Sequence, residues 1–126
     1  MSTTAVQKIS QIGVPVKDIA RAIDFYKEQL GLSLLFNTDT MAFFDCDGLR
    51  LMLSLPEKEQ FAHASSVLYF DVTDIDLSYA DFQARGVEFS GPPHCVVKNG
   101  PAETWMAFFE DTEGNTHALT SDKITS

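Results

Sequence analysis

The feature that most constrains this chain is a repeated junction. Val16-Lys17-Asp18-Ile19 returns as Val72-Thr73-Asp74-Ile75, fifty-six positions later. In each copy a run with strand alternation ends and a helical pattern begins. The aspartate stands at the N-cap, where its carboxylate accepts a free backbone N–H of the first turn. After Asp18 the apolar positions Ile19, Ala22, Ile23, Tyr26 and Leu30 form one stripe, and Gly31 ends it. After Asp74 the stripe is Ile75, Tyr79 and Phe82, and Gly86 ends it. A helix-ending glycine supplies the left-handed cap. One supersecondary unit used twice is the economical reading of such a repeat.

Strand signals fill the rest of each half. The pattern predicts strands over Ile12–Val16, Ser33–Phe36, Met41–Cys46 and Leu49–Ser54, then Val67–Val72, Val87–Ser90, Thr104–Phe109 and Thr116–Thr120. Asp47-Gly48 marks a tight hairpin, because both turn positions need positive φ. Each half therefore reads β-α-β-β-β. The fold class is α+β: two tandem βαβββ units forming a curled mixed sheet with helices outside. The domain is single, residues 1–126, with units at about 9–54 and 66–120 and a polar joint over 55–65. A ferredoxin-like arrangement shares the element count, but the repeated junction favours the tandem unit. The longest expected loop is Gly91–Pro101, with three prolines. Long loops in compact domains are often functional.

Charge narrows the partners. A net charge of −9 argues against nucleic acid and against an anionic membrane surface. No apolar run approaches a membrane span, and Met1–Lys8 lacks the apolar stretch of a signal peptide. Cys46 and Cys95 form no zinc-type pair and read as free and reduced, which implies a cytoplasmic protein.

Strand alternation separates two faces. Ile12, Val14, Val16, Leu51, Leu53, Leu68, Phe70, Val72 and Leu119 are uniformly apolar and should pack under the helices. The opposite set contains Gln11, Gly13, Arg50, Met52, Val67, Tyr69, Asp71, Ala118 and Thr120. Apolar walls with a few polar groups suit a small-molecule pocket. Either Phe43 or Phe44, and either Trp105 or Met106, should join it; alternation alone leaves both choices open. A second copy of the chain is the other candidate cover for this face.

Three stretches carry a family resemblance: Val16 to Tyr26, Leu30-Gly31-Leu32, and Phe109-Glu110-Asp111-Thr112-Glu113-Gly114-Asn115. Together they resemble the glyoxalase/bleomycin-resistance/extradiol-dioxygenase superfamily, the vicinal-oxygen-chelate fold. Thr112 replaces a proline usual in the third. The resemblance implies two βαβββ units curling a sheet around a cleft, and in the family's enzymes a divalent metal held by four side chains. Those positions fall at Gln11, about Met52, about Val67 and Ala118. Gln11 offers an amide oxygen; the other three offer no hard oxygen or imidazole. No metal and no cofactor are therefore expected.

Among candidate functional residues, His94 follows a stiffening prolyl pair, and histidine is a residue type that can exchange protons near neutral pH. Asp71 and Arg50 on the open face are candidates for acid–base work and for anchoring a polar group. The expected pocket is lined by Arg50, Met52, Tyr69 and Trp105, with Gln11 nearby and His94 at its mouth. His63 reads as solvated, His117 as helix-facing and hydrogen-bonded, and Lys98 and Glu103 as surface charges. No nucleophile constellation is present. The leading reading is a protein that binds a small organic molecule, assembled as a two-fold homodimer. The alternative is a lyase, isomerase or dioxygenase of the same superfamily, either metal-independent through His94 or metal-dependent through other ligands.

Overall fold

The computed structural model of the chain describes residues 7–56 and 66–124; His63 lies outside them. The first half runs β1 (Gln11–Pro15), α1 (Ile19–Asp24), β2 (Ser33–Asn37), β3 (Met41–Cys46) and β4 (Leu49–Ser54). The second runs β5 (Leu68–Asp71), α2 (Ile75–Ala84), β6 (Glu88–Phe89), β7 (His94–Asn99), β8 (Ala102–Glu110) and β9 (Thr116–Ile124).

The helix starts follow the repeat. The Asp18 carboxylate accepts from Arg21 N–H at 3.1 Å. Asp74 does the same for Asp76 and Leu77, at 3.1 and 3.2 Å. Beyond Asp24, α1 widens into a π turn over Phe25–Gln29, with Leu30 N–H bonded to the Phe25 carbonyl at 3.0 Å. The wider turn brings two consecutive residues, Phe25 and Tyr26, into the core. The Asp47-Gly48 hairpin takes positive φ at both positions, 52° and 89°, as a type I′ turn requires.

The strands form two sheets, each mixed, rather than one continuous sheet. The first has the order β1-β4-β3-β2, with β1 parallel to β4. The second has the order β5-β9-β8-β6, with β5 parallel to β9, and β7 also paired to β8. Two expectations are corrected here. The segment read as a long loop contains β7, which folds back on β8 through Asn99-Gly100-Pro101 as a hairpin. The strand expected at Val87–Ser90 shrinks to Glu88–Phe89, since β7 occupies most of the β8 edge beyond it.

One core serves both halves. The helix faces of the two sheets contribute Val14, Leu51, Leu53 and Phe44 from the first and Ala107, Phe109 and Leu119 from the second. Phe25 and Tyr26 lie between them. Tyr26 packs against Phe44 at 6.0 Å and His117 at 6.1 Å, and Phe25 against Phe109 at 6.4 Å between ring centroids. The halves are thus joined through their helix faces.

A buried polar cluster sets that joint. Asp111 Oδ1 accepts from Glu113 and Asn115 N–H, both at 2.8 Å. Its Oδ2 accepts from Tyr26 OH at 2.6 Å and Asn115 Nδ2 at 2.9 Å. Asn115 Nδ2 also donates to the Pro15 carbonyl at 3.0 Å. Glu113 takes the N-terminal N–H groups of Lys17 and Asp18, at 2.7 and 2.9 Å, and Arg21 Nε at 2.7 Å. Burial alone would raise the Glu113 carboxyl, but the bonds from Arg21, Thr112, Lys17 and Asp18 outweigh it and hold the pKa down to about 2. Its stabilising share is therefore present above the ordinary carboxylate range and is lost only as pH falls toward that value. Burial, then the Asp111 charge, pushes the Tyr26 phenol well above its ordinary range, so it remains a donor.

Replacing Tyr26 by Phe removes one donor from a buried carboxylate. The expected cost is about 1–3 kcal/mol, read as a lower denaturant midpoint with unchanged slope. Wild-type stability in Tyr26→Phe would contradict this account of the joint.

Candidate functional site

The faces turned away from the shared core carry the candidate residues. On the first sheet, Phe43 stands opposite Met52 and Phe44 opposite Leu51. Since Phe44 and Leu51 are in the core, Phe43 faces outward with Met52, Gln11 and Arg50. Gln11 Nε2 donates to Met52 Sδ at 3.6 Å. The Arg50 guanidinium lies over the Phe43 ring, 5.2 Å from its centroid, a cation–π contact. Phe36 stacks on Phe43 at 4.6 Å.

On the second sheet, Ala107 and Phe109 are buried in the core, so Met106 and Phe108 point the other way. The register pairs Phe108 with Ala118, Ala118 with Tyr69, and Met106 with His94. Tyr69 meets Phe108 edge-on at 6.3 Å, and the His94 ring stacks on Phe108 at 6.2 Å. His94 Nδ1 is 3.3 Å from the Pro92 carbonyl, which orients the imidazole. Tyr69 remains 53% exposed. Asp71 shares this face and is exposed.

Trp105 belongs elsewhere. It pairs with Cys95 and Ser121 on the helix side of β8 and packs against the core. Its indole N–H donates to Glu103 at 3.0 Å, and Lys123 Nζ sits 4.0 Å from its ring centroid. The outward positions on β8 belong instead to Met106 and Phe108. All five residues Trp105 to Phe109 are apolar, so the sequence carries no mark of the strand's phase. His94 is likewise on a strand rather than in a loop.

The two open faces do not converge within one chain. Among the described residues, no hydrogen bond, ion pair or ring contact joins Gln11, Arg50, Met52 and Phe43 to Tyr69, His94 and Phe108. A cleft of about 360 Å³ lies instead between the halves, lined by Leu30, Leu32, Cys46, Asp71 and Phe82 among others. A neighbouring one of about 370 Å³ is lined by Ile12, Leu49, Leu51 and Val67 and shares Cys46, Tyr69 and Phe70 with it.

The other chemistry-bearing groups are quiet. Lys98 and Glu103 pair across the β7–β8 hairpin at 3.6 Å. His117 is fully buried on the helix side and contacts Tyr26 OH at 2.8 Å, as expected of a core histidine. Both cysteines are free. Burial, reinforced by Asp45 and Asp47, pushes the Cys46 thiol up, the opposite of an activated nucleophile. Among the described residues, no helix is long and apolar enough to cross a membrane.

This architecture is that of a family of small α+β proteins. Residues 8–119 match the model of the Glyoxalase/Bleomycin resistance protein/Dioxygenase superfamily. The chain belongs to that superfamily. It is 32% identical over 101 residues to Uncharacterized protein YraH of Bacillus subtilis (strain 168), covering 69% of this chain and 79% of that one. It is 29% identical over 75 residues to Metallothiol transferase FosB of Staphylococcus haemolyticus (strain JCSC1435), covering 56% of this chain and 53% of that enzyme. The structure superposes on TnmS3, an antibiotic binding protein from Streptomyces sp. CB03234, with a TM-score of 0.73 and 26% identity. That match covers 95% of this chain and 99% of TnmS3.

The raised thiol gives a direct check. Alkylation of Cys46 by iodoacetamide, followed by mass spectrometry, is expected to run slower than that of free cysteine at pH 8. Its rate should still be climbing where free cysteine has levelled off. A Cys46 faster than free cysteine would contradict the electrostatics described.

Proposed function

We propose that this protein binds a small, partly aromatic organic molecule on its open sheet faces, without the divalent metal that enzymes of the fold hold there. The observation that carries the reading is the ring group of Tyr69, Phe108 and His94 on the second sheet. These rings offer flat apolar surface outside the core, with Asp71 and Thr120 on the same face for orientation. Offset stacking and edge contacts on such rings give affinity with little loss of side-chain freedom.

The donor set argues the same way. Gln11 supplies one hard oxygen, while Met52, Val67 and Ala118 supply a thioether, an isopropyl group and a methyl group. That combination does not fit a divalent cation, and no step is derived through one. Among the described residues, no three His, Cys, Asp or Glu side chains stand together as a cation site. The likeness to TnmS3, an antibiotic binding protein along nearly its whole length, supports a binding role. The FosB match points toward a metal enzyme but spans only 53% of that protein, and the donor set weighs against it.

Assembly is part of the reading. The outward faces leave Tyr69 53%, Phe36 51% and Val67 38% exposed. A two-fold homodimer that sets one copy's first sheet against the other's second completes a cleft from both faces. Sedimentation at micromolar concentration is expected to give a dimer; a monomer there would count against it.

The binding reading is tested with the neutral dye N-phenyl-1-naphthylamine in EDTA. Saturable binding is expected. Phe108→Ala should weaken it by about tenfold or more, equivalent to about 1.4 kcal/mol. Trp105→Phe should leave it within about twofold, a change of under about 0.5 kcal/mol. Affinity that appears only on adding Ni²⁺ or Zn²⁺, with one ion per chain, would overturn the metal-independent reading.

A further inference from the structure

His117 stands in the joint between the halves and takes no part in the proposed binding face. Its surroundings fix its chemistry. Tyr26 OH lies 2.6 Å from Asp111 Oδ2 and 2.8 Å from His117 Nε2. An ionised carboxylate accepts only, so the single phenolic hydrogen goes to Asp111 and the phenolic oxygen accepts from His117. The imidazole is thus the neutral tautomer with hydrogen on Nε2. Nδ1 is left as a bare lone pair, buried and without a hydrogen-bond partner among the described residues. Three aromatic rings surround the imidazole edge-on: Tyr26 from α1, Phe70 from β5 and Phe109 from β8, at 6.1, 5.6 and 5.9 Å.

We propose that His117 is an acid-sensitive pin of the inter-unit joint: a proton added at Nδ1 has no acceptor inside the core, and its arrival loosens the contact between the two βαβββ units. The facing charges do not rescue it. Asp111 is the carboxylate nearest the ring, with Oδ2 at 3.9 Å from Nε2. Its two oxygens already accept four hydrogen bonds, from Tyr26, Glu113 and twice from Asn115. A carboxylate offers about four such sites, so turning toward His117 breaks a bond that holds the 111–115 turn. Glu113, one residue pair further out, is committed to Arg21 and to the start of α1. Ala118, next in sequence, carries no donor atom and points to the opposite face. Burial lowers the imidazole's pKa below its ordinary value, with the Asp111 charge acting the other way.

The sign follows from linkage. The folded state holds His117 neutral, while the unfolded chain protonates it below about pH 6.5. Stability is therefore full above that value and falls with pH until the folded imidazole itself protonates. Within this window the unfolding equilibrium constant should rise by up to about tenfold per pH unit. Glu113, held near 2, stays ionised throughout.

The test is the pH dependence of stability between pH 7 and 5, together with ¹⁵N shifts of the imidazole in the full chain. The wild type is expected to lose stability across the window, with His117 neutral and protonated on Nε2 at pH 6.5. His117→Gln, which keeps an N–H for Tyr26 and cannot titrate, should flatten the slope. A variant carrying His63→Asn and His94→Asn should retain it. A charged His117 at pH 6.5, a flat wild-type profile, or the same slope in His117→Gln would each overturn the proposal. If His117→Gln does not fold, the wild-type ¹⁵N titration decides alone.

Discussion

The whole arrangement hangs on one carboxylate. Asp111 is buried, and its charge is matched by four hydrogen bonds from three residues. An unpaired charge in that position would be strongly destabilising. Because one of the bonds comes from Tyr26, the β8–β9 turn can be satisfied only when α1 of the other half lies against it. Because another comes from Asn115, whose amide also reaches the Pro15 carbonyl, the end of β1 is fixed too. Hydrophobic burial brings the two helix faces together, but it is not directional. The Asp111 cluster supplies the direction.

That choice of contact has a consequence for function. Each sheet has one face in the shared core and one outside it, and the joint sets the two core faces against each other. The open faces are left outward, carrying Phe43, Arg50 and Met52 on one sheet and Tyr69, His94 and Phe108 on the other. In the proposed reading, a flat ligand and a second copy of the chain cover these rings. A fold shared by many chemistries does not decide between binding and turnover; the side chains at the metal positions and on the second open face are what favour binding.

Much of the fold was legible because the repeat is written in local chemistry. Asp18 and Asp74 cap helices, and Asp47-Gly48 demands a tight hairpin, whatever the tertiary context. The apolar face was legible for the same reason: alternation in β1, β4 and β5 is clean. Legibility failed where the local signal was uniform or mixed. Trp105-Met106-Ala107-Phe108-Phe109 is apolar at every position, so its phase came only from packing against α1 and α2. In β7, the prolines before His94 and the turn after Asn99 masked a strand, and the irregular register around Val96 blurred its alternation further. The relation between the two halves was not local at all. It depended on Tyr26 reaching Asp111 across 85 residues, a pairing that no spacing rule marks.

In the proposed reading, the outward rings of the second sheet form a ligand surface that works without metal. The most direct measurement is chemical-shift mapping of the isotope-labelled protein with N-phenyl-1-naphthylamine in the presence of EDTA. Shifts are expected to concentrate at Tyr69, His94, Met106 and Phe108, spreading to Phe43 and Met52 if a dimer closes the cleft. Shifts confined to Leu30, Leu32 and Phe82 in the cleft between the halves, or none until a divalent metal is added, would contradict it.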